Sequence, residues 1–335
     1  MTIIAALLGS CGGDPPRHSR TEFLLGTPVT VTTYGRVSPD LLDQVFARVG
    51  EIERKMSTSE DDHTDTELLQ VNAAAGTRPV SVSPDTFSVV KEALAFSESS
   101  GGAFDVTVHP LVRLWGIGTE SAAIPDAEQL SAALELVDYR AVQMDPEDTA
   151  ILLPRPGMGV DVGGIAKGYA ADEAARILRA AGIQSALLDF GGNILTVGHK
   201  PDGSLWRIGI QTPDASRGEF LGIASVADQS VVTSGTYERF FEQGGVRYHH
   251  ILDTHTGYPV QNGLASVTII ATDSIDADAL STVVFALGPE AGRLFIEALP
   301  DVEAILVTGD NEVSITSGAG EIFELTNEEY ELRRP

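Results

Sequence analysis

The chain has 335 residues, 22 of them basic and 48 acidic, for a net charge of −26. So negative a surface repels phosphate backbones and anionic headgroups, which argues against nucleic acid and against an anionic membrane surface as partners. The single cysteine, Cys11, excludes an internal disulfide and a cysteine-based metal site, and the length suffices for one large core or two closely joined halves.

Residues 3–8, Ile-Ile-Ala-Ala-Leu-Leu, form an apolar run followed by Gly9-Ser10-Cys11 and then by Gly12-Gly13-Asp14 and two prolines. Leu-Gly-Ser-Cys resembles the bacterial lipobox, in which the cysteine is diacylated and becomes the mature N-terminus. A full signal has a charged front and a longer apolar stretch, so this one reads as truncated. The expectation is a lipid anchor on Cys11, residues 1–22 serving as signal and polar tether. No other segment approaches the ~20 apolar residues of a membrane span.

Beyond the tether, residues 30–34 are β-branched and read as a strand, entered through Leu25-Gly26-Thr27-Pro28. Ser38-Pro39 opens a helix to about Met56, with Leu42, Val45, Phe46, Val49 and Ile52 on one face. A loop dense in Ser, Thr and Asp follows over 57–65, then a short helix ending near Asn72. Ser83-Pro84 starts another helix, which Gly101-Gly102 terminates. Residues 101–115 alternate, with Asp105 and Thr107 on one side, and 125–137 are an amphipathic helix. Short strands are expected at 151–153, 184–189, 206–211, 221–227, 247–252, 266–271, 303–307 and 312–316. Helices are expected at 275–287 and 290–298.

The stretch 160–178 reads as strand, tight turn and helix: Asp161 between Val160 and Val162, then Gly163-Gly164, then apolar residues at helical spacing. A backbone without Cβ atoms can approach a phosphate or metal closely, and a new helix offers unpaired N–H groups. Lys167 stands in the first turn, where the helix dipole disfavours a cation, which suggests an anion beside it. A diglycine turn with a solvated lysine is the plain alternative. The Walker and dinucleotide glycine patterns are absent.

Two further stretches could carry chemistry. In Tyr248-His249-His250-Ile251-Leu252-Asp253-Thr254-His255, strand alternation puts His249 and His250 on opposite faces, so one should point inward. Zinc on His249, His250, Asp253 and His255 is an alternative, but the helical pairing typical of zinc proteases is missing. On the late helix, Asp278 and Thr282 lie four apart on one face. A carboxylate with a hydroxyl suits Mg²⁺, unless Thr282 merely bonds back to the Asp278 carbonyl.

Taken in order, these motifs resemble the ApbE family of FAD:protein FMN transferases, flavin-trafficking lipoproteins. The resemblance covers about residues 23–325, leaving 326–335 as a tail. It rests on Leu-Gly-Thr-Pro-Val at 25–29, Gly-Ala-Phe-Asp-Val-Thr-Val at 102–108, Asp-Val-Gly-Gly-Ile-Ala-Lys-Gly-Tyr-Ala at 161–170 and Asp-Phe-Gly-Gly-Asn at 189–193. Thr-Ser-Gly at 233–235, His-Ile-Leu-Asp at 250–253, Thr-Gly-Tyr-Pro at 256–259 and Ala-Asp-Ala-Leu-Ser-Thr at 277–282 complete it.

The resemblance implies a single α/β (α+β) unit of mainly antiparallel sheet with flanking helices. It implies FAD bound near Leu25, Ser59, Ala103, Phe104, Asp105, Asp161, Lys167 and Leu252, and Mg²⁺ on Asp278, Thr282 and the carbonyl of Gly164. His250 would take the proton from an acceptor threonine as FMN is transferred and AMP leaves, with His249 as a mild control position. An unperturbed histidine titrates near pH ~6.5, so the rate is expected to rise there. Implied acceptors are flavin-carrying subunits of sodium-pumping quinone reductases or Rnf-type complexes, at the periplasmic face of the inner membrane. Ser59 departs from a frequent aromatic, and Thr254 from the usual proline. An FAD pyrophosphatase and a non-catalytic flavin-binding lipoprotein are the rival readings.

Overall fold

Nine strands hydrogen-bond into one sheet in the computed structural model, which describes residues 15–59, 63–216 and 218–333. Their spatial order is Arg17–Leu24, Thr27–Tyr34, Ala186–Phe190, Asn193–Val197, Ser230–Gly235, Leu264–Ala271, Glu303–Thr308, Glu312–Ile315 and Glu331–Arg333. Every neighbouring pair is antiparallel except the last, which is parallel. The helices are α1 (Leu41–Met56), α2 (Glu67–Ala73), α3 (Pro84–Ser99), α4 (His109–Trp115), α5 (Ala127–Leu134), α6 (Ala166–Ala180), α7 (Ser274–Leu287), α8 (Pro289–Glu297) and a single-turn α9 (Ala319–Ile322) among the described residues. The expected mixed fold with mainly antiparallel sheet is the observed one.

Strand alternation sorts side chains to two faces. Val29, Val31, Ala186, Leu188, Phe190 and Leu195 meet Val45, Val49 and Ile52 of α1 and Ala170, Ala174 and Leu178 of α6 in one core. Their neighbours Leu187 and Ile194, with Val231 and Ile270, face the other way. There a three-stranded sheet of Trp206–Gln211, Phe220–Val226 and Phe323–Leu325 covers them. Leu264–Ala271 is buried along its whole length, because α7 and α8 close one side and the small sheet the other.

Helices α6 and α7 cap each other. Asp172 of α6 accepts hydrogen bonds from the Ser274 and Ile275 N–H groups at 2.9 and 2.8 Å, and Asp278 of α7 accepts from Gly168 N–H at 2.9 Å. Contact is so close that a Cβ on Gly168 would lie 2.2 Å from the Ser274 carbonyl oxygen. A fourth cluster sits apart, where Trp115 packs with Leu111, Leu130 and Leu252. Over it lies a separate hairpin, Phe240–Gln243 with Val246–His249.

The chain departs from the sequence expectations at several places. Residues 17–24, of which 17–22 were expected within the tether, are an edge strand, joined to the next strand by a Leu25-Gly26 turn with φ of 54° and 69°. Only one side of that strand pairs, so its alternation reads as polar. The sheet also extends past residue 325, since Tyr330 and Leu332 pack onto the second core. Residues 101–108 form turns, not an alternating strand, because Asp105 spends its carboxylate on the backbone and hydroxyl of Thr107. Cys11 and the rest of its apolar run lie outside the described residues, among which no helix is long and apolar enough to cross a membrane.

Candidate active site

The site begins where residues 160–165 lead into α6. Val160–Val162 was expected as a strand, but no ladder forms. Asn72 instead clamps Val160, its Nδ2 donating to the carbonyl at 3.0 Å and its Oδ1 accepting the N–H at 2.7 Å, and Asp161 N–H donates to the Val106 carbonyl. The next turn brings Gly164 against Phe104 and Thr282: a Cβ there would lie 3.2 Å from both Phe104 Cε2 and Thr282 Oγ1. Three of the residues singled out in the sequence thus converge.

Lys167 follows in the first turn of α6, its Nζ 3.2 Å from Asp278 Oδ1. The other oxygen of Asp278 accepts from Gly168 N–H, so the carboxylate is fully buried yet keeps lone pairs to spare. Ser281, not Thr282, bonds back to the Asp278 carbonyl. The Thr282 hydroxyl therefore makes no hydrogen bond among the described residues. Asp278 and Thr282 on α7, with Gly164 against Thr282, offer a carboxylate, a hydroxyl and a carbonyl, oxygen donors whose chemistry fits Mg²⁺. No group of three or more His, Cys, Asp or Glu side chains converges among the described residues, which leaves the zinc alternative without a site.

The histidines separate as the alternation requires. His249 is buried, its Nε2 2.8 Å from the Val260 carbonyl oxygen and its ring edge-on to Phe285. His250, just past the hairpin, donates its N–H to the Arg239 carbonyl at 3.1 Å and sets Nδ1 3.3 Å from the same oxygen. Surrounding protein, with the charges of Arg239 and Lys167, pushes its pKa down to about 3. Glu238 shares this field with Lys167, Asp278 and Arg239. Arg239 also borders the Leu25-Gly26 turn, since a Cβ on Gly26 would lie 3.2 Å from its Nη2.

Other expected flavin contacts are placed less uniformly. Asp161 lies below the glycine turn. Burial alone would raise its pKa, but His109 at 3.8 Å and hydrogen bonds from Thr58 at 2.6 Å and Gly163 N–H at 2.7 Å hold the carboxyl below the usual range. Asp105 has both oxygens engaged, by Thr107 and by Tyr139 N–H, and Ala103 stands half-buried beside it. Leu252 is buried against Trp115, and Ser59 is exposed, its N–H on Ser57 Oγ. Thr254, in place of the usual proline, ties its loop to the Gly102 carbonyl at 2.6 Å.

Sequence reasoning passed over Glu238, Arg239, Thr58 and His109. The first two stand three and four residues past the Thr-Ser-Gly motif, where an adjacent acid and base were a usable signal. For the other two nothing in the sequence connects residues so far apart.

The profile of the ApbE family matches residues 25–306. The FAD:protein FMN transferase of Klebsiella pneumoniae (strain 342) is 38% identical over 300 residues, covering 90% of this chain and 92% of that one. That of Treponema pallidum (strain Nichols) is 37% identical over 346 residues, covering 98% and 95%. Among solved structures, the ApbE protein of Thermotoga maritima superposes with a TM-score of 0.84 at 31% identity, covering 92% of this chain and 99% of that one. Vibrio cholerae flavin transferase ApbE does so at 0.82 and 29%, with the same coverage. Family-wide motifs, matching fold and one convergent site agree: this chain is a transferase belonging to the ApbE family.

Proposed function

We propose that this enzyme is an Mg²⁺-dependent FAD:protein FMN transferase, moving the FMN part of FAD onto a threonine hydroxyl of a flavoprotein and releasing AMP. The observation that carries the reading is a chain of proximities: Lys167 at the start of α6 against Asp278 of α7, Gly164 against Thr282, and His250 held by Arg239 within the field of Lys167. Lys167 and Arg239 supply positive charge for the FAD diphosphate in a chain that is otherwise strongly acidic. Mg²⁺ on Asp278, Thr282 and the Gly164 carbonyl would offset charge on the diphosphate and on departing AMP.

With Nδ1–H donating to the Arg239 carbonyl, the lone pair of neutral His250 lies on Nε2. Neutral Nε2 accepts the threonine proton as the threonine oxygen bonds to the FMN phosphorus and the bond from that phosphorus to the AMP oxygen breaks. The acceptors are flavin-carrying subunits of sodium-pumping quinone reductases or Rnf-type complexes. A lipid on Cys11 would hold the enzyme beside them on the periplasmic face of the inner membrane. Incubation with FAD, Mg²⁺ and such a subunit, followed by mass measurement, tests this. Gain of one FMN by the acceptor with equimolar AMP is expected. Free FMN and AMP with an unchanged acceptor would make the enzyme a hydrolase.

A further inference from the structure

The hairpin of Phe240–Gln243 and Val246–His249 belongs to no larger sheet. Its faces are occupied. Phe241 and Tyr248, paired across the strands, stack on each other at 5.1 Å and cover Trp115. On the opposite face Arg247 lies over Phe240 at 4.3 Å and pairs with Asp214 and Glu242. The edges are another matter. Among the described residues, no backbone N–H or carbonyl of 240–243 bonds outside the hairpin. Three of these four residues are exposed, whereas the returning strand ends in buried His249. Protein chains usually blunt such an edge; this one is short but bare, and Phe240 is 38% exposed on it.

The open edge runs directly into the site. Residue 239 precedes the strand, and its carbonyl is the one that holds His250. We propose that the outer edge of Phe240–Gln243 receives the acceptor as an added strand, an extended threonine-bearing segment hydrogen-bonded along the hairpin so that its hydroxyl reaches His250. The occupant follows from continuity with His250, which the Arg239 carbonyl at the head of the strand holds. A threonine must leave its own protein's surface to reach a recessed base, and an extended segment does so while keeping its backbone groups paired. This rests on the transferase reading above.

The ladder identifies the atoms. A two-residue Gly244-Gly245 turn with φ of 63° and 79° makes Gln243 and Val246 a hydrogen-bonded pair. Alternation then turns the Glu242 and Phe240 N–H groups outward. Glu242→Pro deletes an outward donor and spares the hairpin's own ladder. It is expected to raise the KM for a flavoprotein acceptor by about tenfold, the scale of one lost backbone hydrogen bond, with FAD affinity unchanged. Glu242→Gln, which keeps the N–H, is expected to behave as the parent. Parental KM in Glu242→Pro overturns the proposal. A second measurement needs no variant of the enzyme: an acceptor with its threonine replaced by valine is expected to slow hydrogen exchange across Phe240–Gln243, and absence of that protection overturns it equally. Failure of the parent enzyme to modify any acceptor would instead overturn the transferase reading, and this proposal with it.

Discussion

The Nζ of Lys167 stands 3.2 Å from Oδ1 of Asp278, joining the first turn of α6 to the middle of α7. Alone, each charge is badly placed, one against a helix dipole and the other buried. Together they offset one another, and the second oxygen of Asp278 accepts from Gly168 N–H.

Asp278→Ala is expected to abolish Mg²⁺-dependent turnover while FAD still binds. It also strips Gly168 N–H of its acceptor, a loss of about 1–3 kcal/mol of stability. Asp278→Asn keeps an acceptor oxygen, so stability should largely return and turnover should not. Mg²⁺ titration of activity, flavin-binding fluorescence and thermal melting separate the two effects. Undiminished Mg²⁺ dependence in either variant removes the metal assignment.

The histidine pair divides into chemistry and packing. His250→Ala is expected to slow transfer by about 10²–10⁴-fold without loss of FAD binding. His249→Ala, which the sequence presented as a mild control, opens a cavity beside Phe285 and orphans the Val260 carbonyl. A stability loss of about 2–4 kcal/mol is expected. Denaturation midpoints and transfer rates measured on both variants test the division, and full activity in His250→Ala would sink it.

The pH profile should not carry the step near pH 6.5 that an ordinary histidine would give. With a folded pKa of about 3, His250 is neutral throughout the physiological range. The unfolded chain takes up its proton below pH ~6.5, so this residue costs stability increasingly as pH falls from there toward 3. Glu238 has the opposite sign. Crowding by protein, reinforced by Asp278 and opposed by Lys167 and Arg239, lifts it to about 7 from 4.5. Its contribution is therefore present below pH ~4.5 and lost as pH rises through 7. FAD affinity should weaken as that charge appears beside Lys167, and Glu238→Gln should remove the step; affinity measured from pH 6 to 8 decides.

Gly168→Ala drives a methyl group into the Ser274 backbone, so α6 and α7 must part. A loss of about 1–3 kcal/mol is expected, together with weakened Mg²⁺ protection against thermal unfolding. Melting curves with and without Mg²⁺ check both.

Cys11→Ser is expected to move the protein from the membrane fraction to the soluble one, since acyl chains would be its anchor. Fractionation with mass measurement of the N-terminus tests this. An unmodified Cys11 in the parental protein would refute the anchor.

What the sequence made legible was whatever local spacing encodes. Asp278 and Thr282 share a face because helices repeat every 3.6 residues, and His249 and His250 diverge because strands alternate. Long-range partners were invisible: Asn72 on Val160, Thr58 on Asp161 and Arg239 on His250 join segments with no common period. The Arg17–Leu24 strand escaped notice because an edge strand paired on one side needs no apolar stripe. The turn at Asp105 was missed because the alternation of 105–108 reads as a strand, whereas the carboxylate finds a hydroxyl and an N–H two residues on.

The exchange of caps between α6 and α7 also bears on the order in which the chain folds. Asp172 and Ser274 are 102 residues apart, and Gly168 and Asp278 are 110. Closing a loop of that length is a late event, rewarded only once the intervening strands are in place. Neither helix start is finished until the other arrives, so a partly folded chain has no half-built pocket in which to trap flavin. Amides at the two helix starts should accordingly exchange only through global unfolding, and the ability to hold FAD should vanish in the same transition as the sheet.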